Sequence, residues 1–494
     1  MFDRFFRSTT ETSSEVSRAL SRGEVRQIRR GLYTTDVVTP LPDLVRRHLW
    51  EVVRLLVPGH VIGYRTAIEL EPSPEGAVHL VGATERRLEV HGLKIWCHEG
   101  PGPIEGDRPY MGSLYLASRG RAYLEAMAPS RSGREFGNKG LARDAVEERL
   151  DQLLRLRGED ELNRLRDEAR RLQDILGAQN EFEQLDAIIG GLLRTKDTEL
   201  RSPTARARAQ GRPYDPDRLV LFQDLHRALV GSPPPGIADE HAPGSTGFAN
   251  TAFFDAYFSN WIEGTEFELD EARDIVVHGR VPDTRPADGH DVLGTFELVS
   301  DPTFMTGALG RILKSPDSFI HVLKEAHRRI MGGRPETDPG MFKVRPNRAG
   351  ATIFVDPSLV EGTLREAHGL LPSLPEAMSQ AAYLTFVVAE VHPFSDGNGR
   401  VARAVMNAAL VPARQTRVII MTGYRDDYLR ALKALSHQRN TGPYVEMLCR
   451  AQRFVSELPM SDYGRTVALL SETGALDASG DRRLRLPSEL VAPP

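Results

Sequence analysis

Apolar residues change their spacing along this chain, and each regime predicts a different kind of structure. In SSEVSRALSRGEVRQIRRGLYTT, Ser and Glu stand near a helix start, apolar positions Val16, Leu20, Val25 and Ile28 follow, and the turn glycine Gly31 leads into a β-prone LYTT. GAVHLVG and LEVHGLKIWCHEG alternate like short strands, so residues from about 12 to 130 read as a small α/β or winged-helix domain. From about 135 to 230 the text turns helical and charge-laced, with Leu150, Leu153, Leu154 and Leu156 as an apolar stripe among opposite charges, which predicts a solvated helical linker. The proline- and glycine-rich stretch 232–247 predicts a boundary. Residues from about 248 to 460 carry helical periodicity, with strand character confined to ATIFVD near 351, and predict a mostly helical domain. From 461 to 494 aromatic anchors are scarce and a loose tail is expected.

A length of 494 residues favours two to four domains. A hydrophobic fraction of 40%, a charged fraction of 27% and a net charge of −5 give no global pull toward nucleic acid or anionic membrane. The two cysteines, Cys97 and Cys449, make neither a disulfide framework nor a zinc site. No apolar signal core and no run of about 18 apolar residues is present, so a cytoplasmic protein without a membrane span is expected. Arginine outnumbers lysine, an association with GC-rich bacterial genomes.

Candidate chemistry concentrates in VHPFSDGNGRVAR, residues 391–403. AMSQAAYLTFVVAEV before it and RVARAVMNAALV after it are apolar helices, so HPFSDGNG connects two packed helices. Gly397, Asn398 and Gly399 can turn successive N–H groups onto a concave surface at a helix N-terminus, where free donors and the helix dipole favour phosphate oxygens. Arg400 and Arg403 share a face of that helix and point guanidinium forks at the same anion. Asp396 is a hard oxygen ligand suited to a Mg²⁺ bridging phosphates. His392 is the only group here whose unperturbed pKa falls near neutrality, which suits it to take a proton from an attacking hydroxyl. Phe394 anchors the loop. Together these residues predict a nucleotidyl or phosphoryl transfer site. His321 and His327 lack metal-spaced partners and read as surface or packing residues.

The stretch matches H-P-F-x-[D/E]-G-N-G-R-x-x-R throughout and so resembles the Fic family signature. DPGMFKVR with ATIFVDP is similar to that family's flap, and YRDDYLRAL resembles the helix of its nucleotide pocket, with Tyr428 followed by Leu429 in place of the usual paired aromatics. The resemblance implies an α-helical core that transfers AMP from ATP to a Ser, Thr or Tyr hydroxyl of a target protein. It implies His392 as general base, Asp396 as Mg²⁺ ligand, Gly397, Asn398, Gly399, Arg400 and Arg403 as the phosphate cradle, Tyr428 in the nucleotide pocket, and a flap near 344–354 that clamps the target by strand-like pairing.

In FFDAYFSNWIEG, Phe254, Tyr257, Phe258 and Trp261 follow the i, i+3, i+4, i+7 pattern, while Ser259 and Glu263 fall on the opposite face. S-x-x-x-E-G resembles the family's inhibitory motif, which implies that Glu263 pairs with Arg403 and keeps ATP from a productive pose. The same glutamate in some members positions water for deAMPylation, and transfer of another phosphate-containing group is a further alternative. Family members often use dimerisation to bury the inhibitory helix, so the resemblance leaves a homodimer open.

RQIRRGLYTTD and VIGYRTAIEL resemble the winged-helix N-terminal region of AbiEi-type antitoxins, which implies DNA phosphate contacts through Arg18, Arg22, Arg26, Arg29 and Arg30. A protein-interaction module is the other reading. The rival to an enzyme is then a transcription regulator whose Fic core senses nucleotide.

Overall fold

The computed structural model describes residues 2–129, 136–350, 352–477 and 484–491. Its chain separates into two compact units, Met1–Gly211 and Arg212–Pro494.

The first unit begins with a three-stranded antiparallel sheet, Phe5–Arg7, Leu32–Thr34 and Arg26–Arg29 in spatial order. Helix Ser13–Ser21 buries Val16, whereas Leu20 is 41% exposed and Ile28 lies on a strand. A six-stranded mixed sheet follows, in the order Arg86–Val90, Leu93–Glu99, Ala77–Gly82, Val61–Ile62, Leu114–Leu116, Arg108–Tyr110. Ala77–Gly82 is central and pairs in parallel with Leu93–Glu99, so all of its residues are buried rather than every second one. Among the arginines expected at a DNA surface, Arg22 pairs with Glu24 at 2.8 Å and Arg26 donates to the carbonyls of Asp36 and Thr39.

The helical text near 135–230 is not a solvated spacer. Helices Arg143–Arg157, Glu159–Leu176 and Gln179–Leu192 pack with helix Arg119–Met127 around Leu150, Leu162, Leu165, Ile188 and Ile189. Their narrow apolar stripes suffice because several helices bury them against one another. Leu156 alone of the expected stripe points out, at 67% exposure.

The second unit is mostly helical. Its site is built from α1 (Thr246–Ile262), α2 (Pro286–Ser300), α3 (Pro316–Ile330), α4 (Ala377–Val391), α5 (Asn398–Leu410) and α6 (Arg425–Gln438). Ser245 and Ser315 cap α1 and α3 by accepting from Phe248 N and Ser318 N. α4 and α5 pack along their lengths and are apolar on nearly every side, which places them in the centre of one core with α1, α2 and α3 around them. A short hairpin pairs Arg348–Ala349 with Thr352–Ile353; Ala351, inside the expected flap, lies outside the described residues.

The 232–247 stretch belongs to this unit. Ile237 N donates to Gln452, and Glu240, 7% exposed, receives the Arg417 amide. The expected loose tail is also tied down where it is described. Helix Tyr463–Glu472 buries Thr466 and Leu470, and Leu484 and Leu486 join the core; residues 478–483 and 492–494 lie outside the described residues.

Candidate active site

α4 stops at Val391 because His392 takes a left-handed conformation, φ 51° and ψ 60°, without being a glycine. Such a residue costs about 1 kcal/mol and persists only where its surroundings hold it. Gly397 reverses the chain again at φ 73°, where a Cβ would lie 2.7 Å from the Met331 sulfur. Between them, the Asn398 side chain donates to Phe394 O at 2.9 Å and accepts from Phe394 N at 2.8 Å. Asn398 therefore spends its amide on closing the loop. Its own N–H, with those of Gly399 and Arg400, is left without an intrahelical acceptor by the geometry of a helix start.

His327, expected only to pack, supports this loop from below. Its ring stacks on Phe394 with centroids 3.9 Å apart, Nδ1 accepts from Gly340 N at 2.8 Å, and Nε2 donates to Asp396 O at 3.1 Å. Burial pushes its pKa down to about 4, so the ring is neutral at pH 7. His321 is exposed.

His392 is half-buried, with its ring stacked on Phe354 at 3.7 Å. Nδ1–H donates to Ala389 O at 3.2 Å, which leaves Nε2 as the proton acceptor of the neutral ring. Burial is the main cause that lowers its pKa to about 4. The flap is fastened beside it: Lys343 N donates to Pro393 O at 2.9 Å, Lys343 Nζ to Asn347 Oδ1 at 2.7 Å, and Asn347 Nδ2 to Phe394 O at 3.0 Å. Burial pushes the Lys343 ammonium down to about 8.

At the start of α5, the Asp396 side chain is 49% exposed and Oδ1 accepts from Gly397 N at 2.6 Å. Arg400 is 3% exposed and already engaged: NH1 lies 2.5 Å from Asp291 Oδ2, and NH2 lies 3.7 Å from Asp396 Oδ1. Arg403, equally buried, donates to Ser259 Oγ at 2.9 Å, to Ser259 O at 2.8 Å and to Glu263 Oε1 at 2.7 Å. Tyr428 is buried beside this pair, and its pKa is raised chiefly by burial. The Glu263 carboxylate also lies against Gly399, where an ideal Cβ would come within 2.0 Å of Oε1. An anion from the chain itself thus lies beside the first turn of α5, held there by Arg403.

α1 is not amphipathic in place. Phe254 and Phe258 are fully buried, yet Asp255, Ser259 and Asn260 on other sides are buried as well. Asp255, Ser259 and Glu263 instead form a polar seam against Asn407, Arg403 and Gly399, with Asp255 Oδ2 accepting from Asn407 at 2.9 Å. Both rows step by four residues and run in opposite directions, which is the spacing of one helix face on another. Sequence reading missed Asp255, Asn407, Asp291, Lys343 and Asn347. Only the first two carry a signal, their place in these four-residue steps.

Residues 320–410 match the model of the Fic/DOC family. The chain is 27% identical over 278 residues to "Protein adenylyltransferase Fic" of Nematostella vectensis, covering 55% of this chain and 63% of that one. It is 26% identical over 243 residues to the protein of the same name in Drosophila melanogaster, covering 48% of each. The chain therefore spans less than two thirds of the length of these relatives. Among solved structures, Fic-1 (residues 134–508) of C. elegans superposes with TM-score 0.36 at 19% identity over 67% of this chain and 90% of that one. A Fic family protein of Desulfovibrio desulfuricans G20 gives 0.36 at 18% over 50% and 75%.

Proposed function

We propose that the second unit is a self-inhibited protein adenylyltransferase. The observation that carries the reading is the convergence of a neutral His392 with an open Nε2, the unpaired amides that begin α5, and the guanidinium of Arg403 held by Glu263. In the forward reaction Nε2 takes the proton of a Ser, Thr or Tyr hydroxyl of the target. Its oxygen bonds to the α-phosphorus of ATP as the bond to the β-phosphate oxygen breaks, and pyrophosphate leaves. Asn398, Gly399 and Arg400 offer main-chain donors to the phosphates, while Gly397, expected in the cradle, spends its N–H on Asp396 Oδ1 and serves the turn instead; Arg400 and Arg403 offer charge, and Tyr428 lines the nucleotide side. The flap hairpin would take an extended target segment by main-chain pairing.

Asp396 fits a Mg²⁺ role because its carboxylate is half-exposed at the anion site and a phosphate-bound Mg²⁺ needs only one or two protein carboxylates. When bound there, Mg²⁺ would neutralise phosphate charge. Glu263, by occupying Arg403, denies that guanidinium to the terminal phosphate and holds the enzyme at a low basal rate. Glu263 also stands where it could orient water, which supports deAMPylation as the reverse activity of the same site. The N-terminal unit would act as a winged-helix-like regulatory module, and loss of DNA retention on a mobility gel at low salt would remove DNA from its partners.

The test incubates wild-type, Glu263→Gly and His392→Ala protein with α- and γ-labelled ATP. Label from the α position alone, raised in the glutamate variant and abolished in the histidine variant, supports AMP transfer. Label from γ, or none with ATP still bound, overturns it in favour of phosphotransfer or nucleotide sensing.

A further inference from the structure

Behind the anion site, Arg400 is one end of a row of alternating charges. Asp291, fully buried on α2, receives Arg400 NH1 on Oδ2 at 2.5 Å and, on the same oxygen, Arg334 Nε and NH2 at 2.8 Å each. Arg334 in turn holds Asp288 Oδ1 at 2.8 Å, and Asp288 Oδ2 accepts from Arg285 at 3.0 Å. Two buried atoms at the middle of this row have no partner among the described residues, Asp291 Oδ1 and Arg400 Nε. The carboxylate thus gives one oxygen to two guanidinia and leaves the other bare, while Arg400 keeps a donor unspent.

An arginine wholly paired to a buried carboxylate would have little charge left for a phosphate. An arginine with no counter-ion would be costly to bury and free to swing to Asp396, 3.7 Å from its other nitrogen. Sharing Asp291 with Arg334 gives an intermediate: Arg400 is aimed but only partly neutralised.

We propose that Asp291 and Arg334 act as a charge divider that positions Arg400 and sets how strongly it attracts a bound phosphate. The inference rests on the nucleotide-binding reading of the site. Asp291 and Arg334 are positioning residues, since they act through Arg400.

The divider makes two substitutions that break the same ion pair act in opposite directions. Asp291→Asn frees Arg400 charge, so ATP binds tighter, by ~3- to 10-fold for one unit charge removed across a partly solvated site. Turnover nevertheless falls, because the guanidinium is then held by the longer contact to Asn260 Oδ1, 3.4 Å from NH1, without its ion pair. Arg334→Gln returns the whole carboxylate to Arg400, and ATP binds weaker by a similar factor. Adenosine, which has no phosphate, binds all forms alike.

The experiment measures ATP and adenosine dissociation constants and ATP turnover in the full chain carrying Glu263→Gly, with each substitution added and melting temperatures recorded. Opposite shifts for ATP with unchanged adenosine support the divider. Shifts in the same direction, or equal losses for ATP and adenosine, show a merely structural pair and overturn it. Arg334 is 21% exposed, so Arg334→Gln alone decides the matter if Asp291→Asn does not fold: unchanged ATP affinity overturns the proposal, and weakened affinity with unchanged adenosine supports it. A parent that binds no ATP at all sinks the nucleotide reading and this inference with it, an outcome separate from a parent that binds ATP and ignores both changes.

Discussion

Glu263→Gly removes one carboxylate from Arg403 and leaves the guanidinium its two bonds to Ser259, so the arginine stays aimed while its charge is released. The lost contact is a charge-assisted hydrogen bond of 2.7 Å to an arginine that is 4% exposed, with the glutamate itself 29% exposed. Bonds of that kind contribute about 1.5–3 kcal/mol. Taking ~2 kcal/mol for a partly exposed pair, the closed arrangement outweighs the open one by ~30-fold, at about 1.4 kcal/mol per tenfold. The initial rate of auto-modification with α-labelled ATP should therefore rise about 30-fold in Glu263→Gly. Glu263→Gln, which keeps the size and a neutral hydrogen bond of ~1 kcal/mol, should fall between the two. Equal rates in wild type and Glu263→Gly would refute the latch. A glutamine variant as active as the glycine variant would locate the inhibition in side-chain shape, or elsewhere, instead of in the ion pair.

Gly399→Ala places a methyl group against the Glu263 carboxylate, and in the wild-type background it should destabilise the protein by ~1–3 kcal/mol. Once Glu263 is Gly the same change should cost less, because only Arg403 NH1, 3.0 Å from the added Cβ, still has to give way; additive effects in a denaturation double-mutant cycle would contradict the contact. His327 has its pKa lowered from 6.5 to about 4 by burial, so below pH 6.5 the unfolded chain takes up a proton that the folded one refuses. Its stabilising hydrogen bonds are thus fully expressed above pH 6.5, and up to about 3 kcal/mol is lost as pH falls to 4, at 1.36 kcal/mol per pKa unit. The stability gap between wild type and His327→Gln should narrow from pH 7 to pH 4.5 in chemical denaturation, and a constant gap would show that the buried ring does not titrate this way.

The catalytic loop was legible in sequence because its chemistry is local. Proline, glycines and flanking apolar helices dictate a tight turn, and a helix start after Gly397 exposes amides whatever the rest of the protein does. Ser259 and Glu263 were legible as a motif, but the expected amphipathic helix was not what formed. Polar residues at Asp255 and Ser259 look solvent-facing until a second helix supplies Asn407 and Arg403 to satisfy them. The linker and tail went astray for a related reason: a thin apolar stripe or a sparse aromatic content says how much surface can be buried, not whether a neighbour is there to bury it.

What the sequence by itself determined is the order of chemical groups along one loop and the local turns that present them, since these depend on residues within a few positions of each other. Tertiary structure alone decided the state of those groups. It set Arg403 on a glutamate about 140 positions earlier, divided Arg400 between Asp291 and the site, put His327 beneath the loop, and lowered the His392 pKa to about 4. Charge, desolvation and hydrogen-bond partners act through distance in space, and separation along the chain carries no record of that distance.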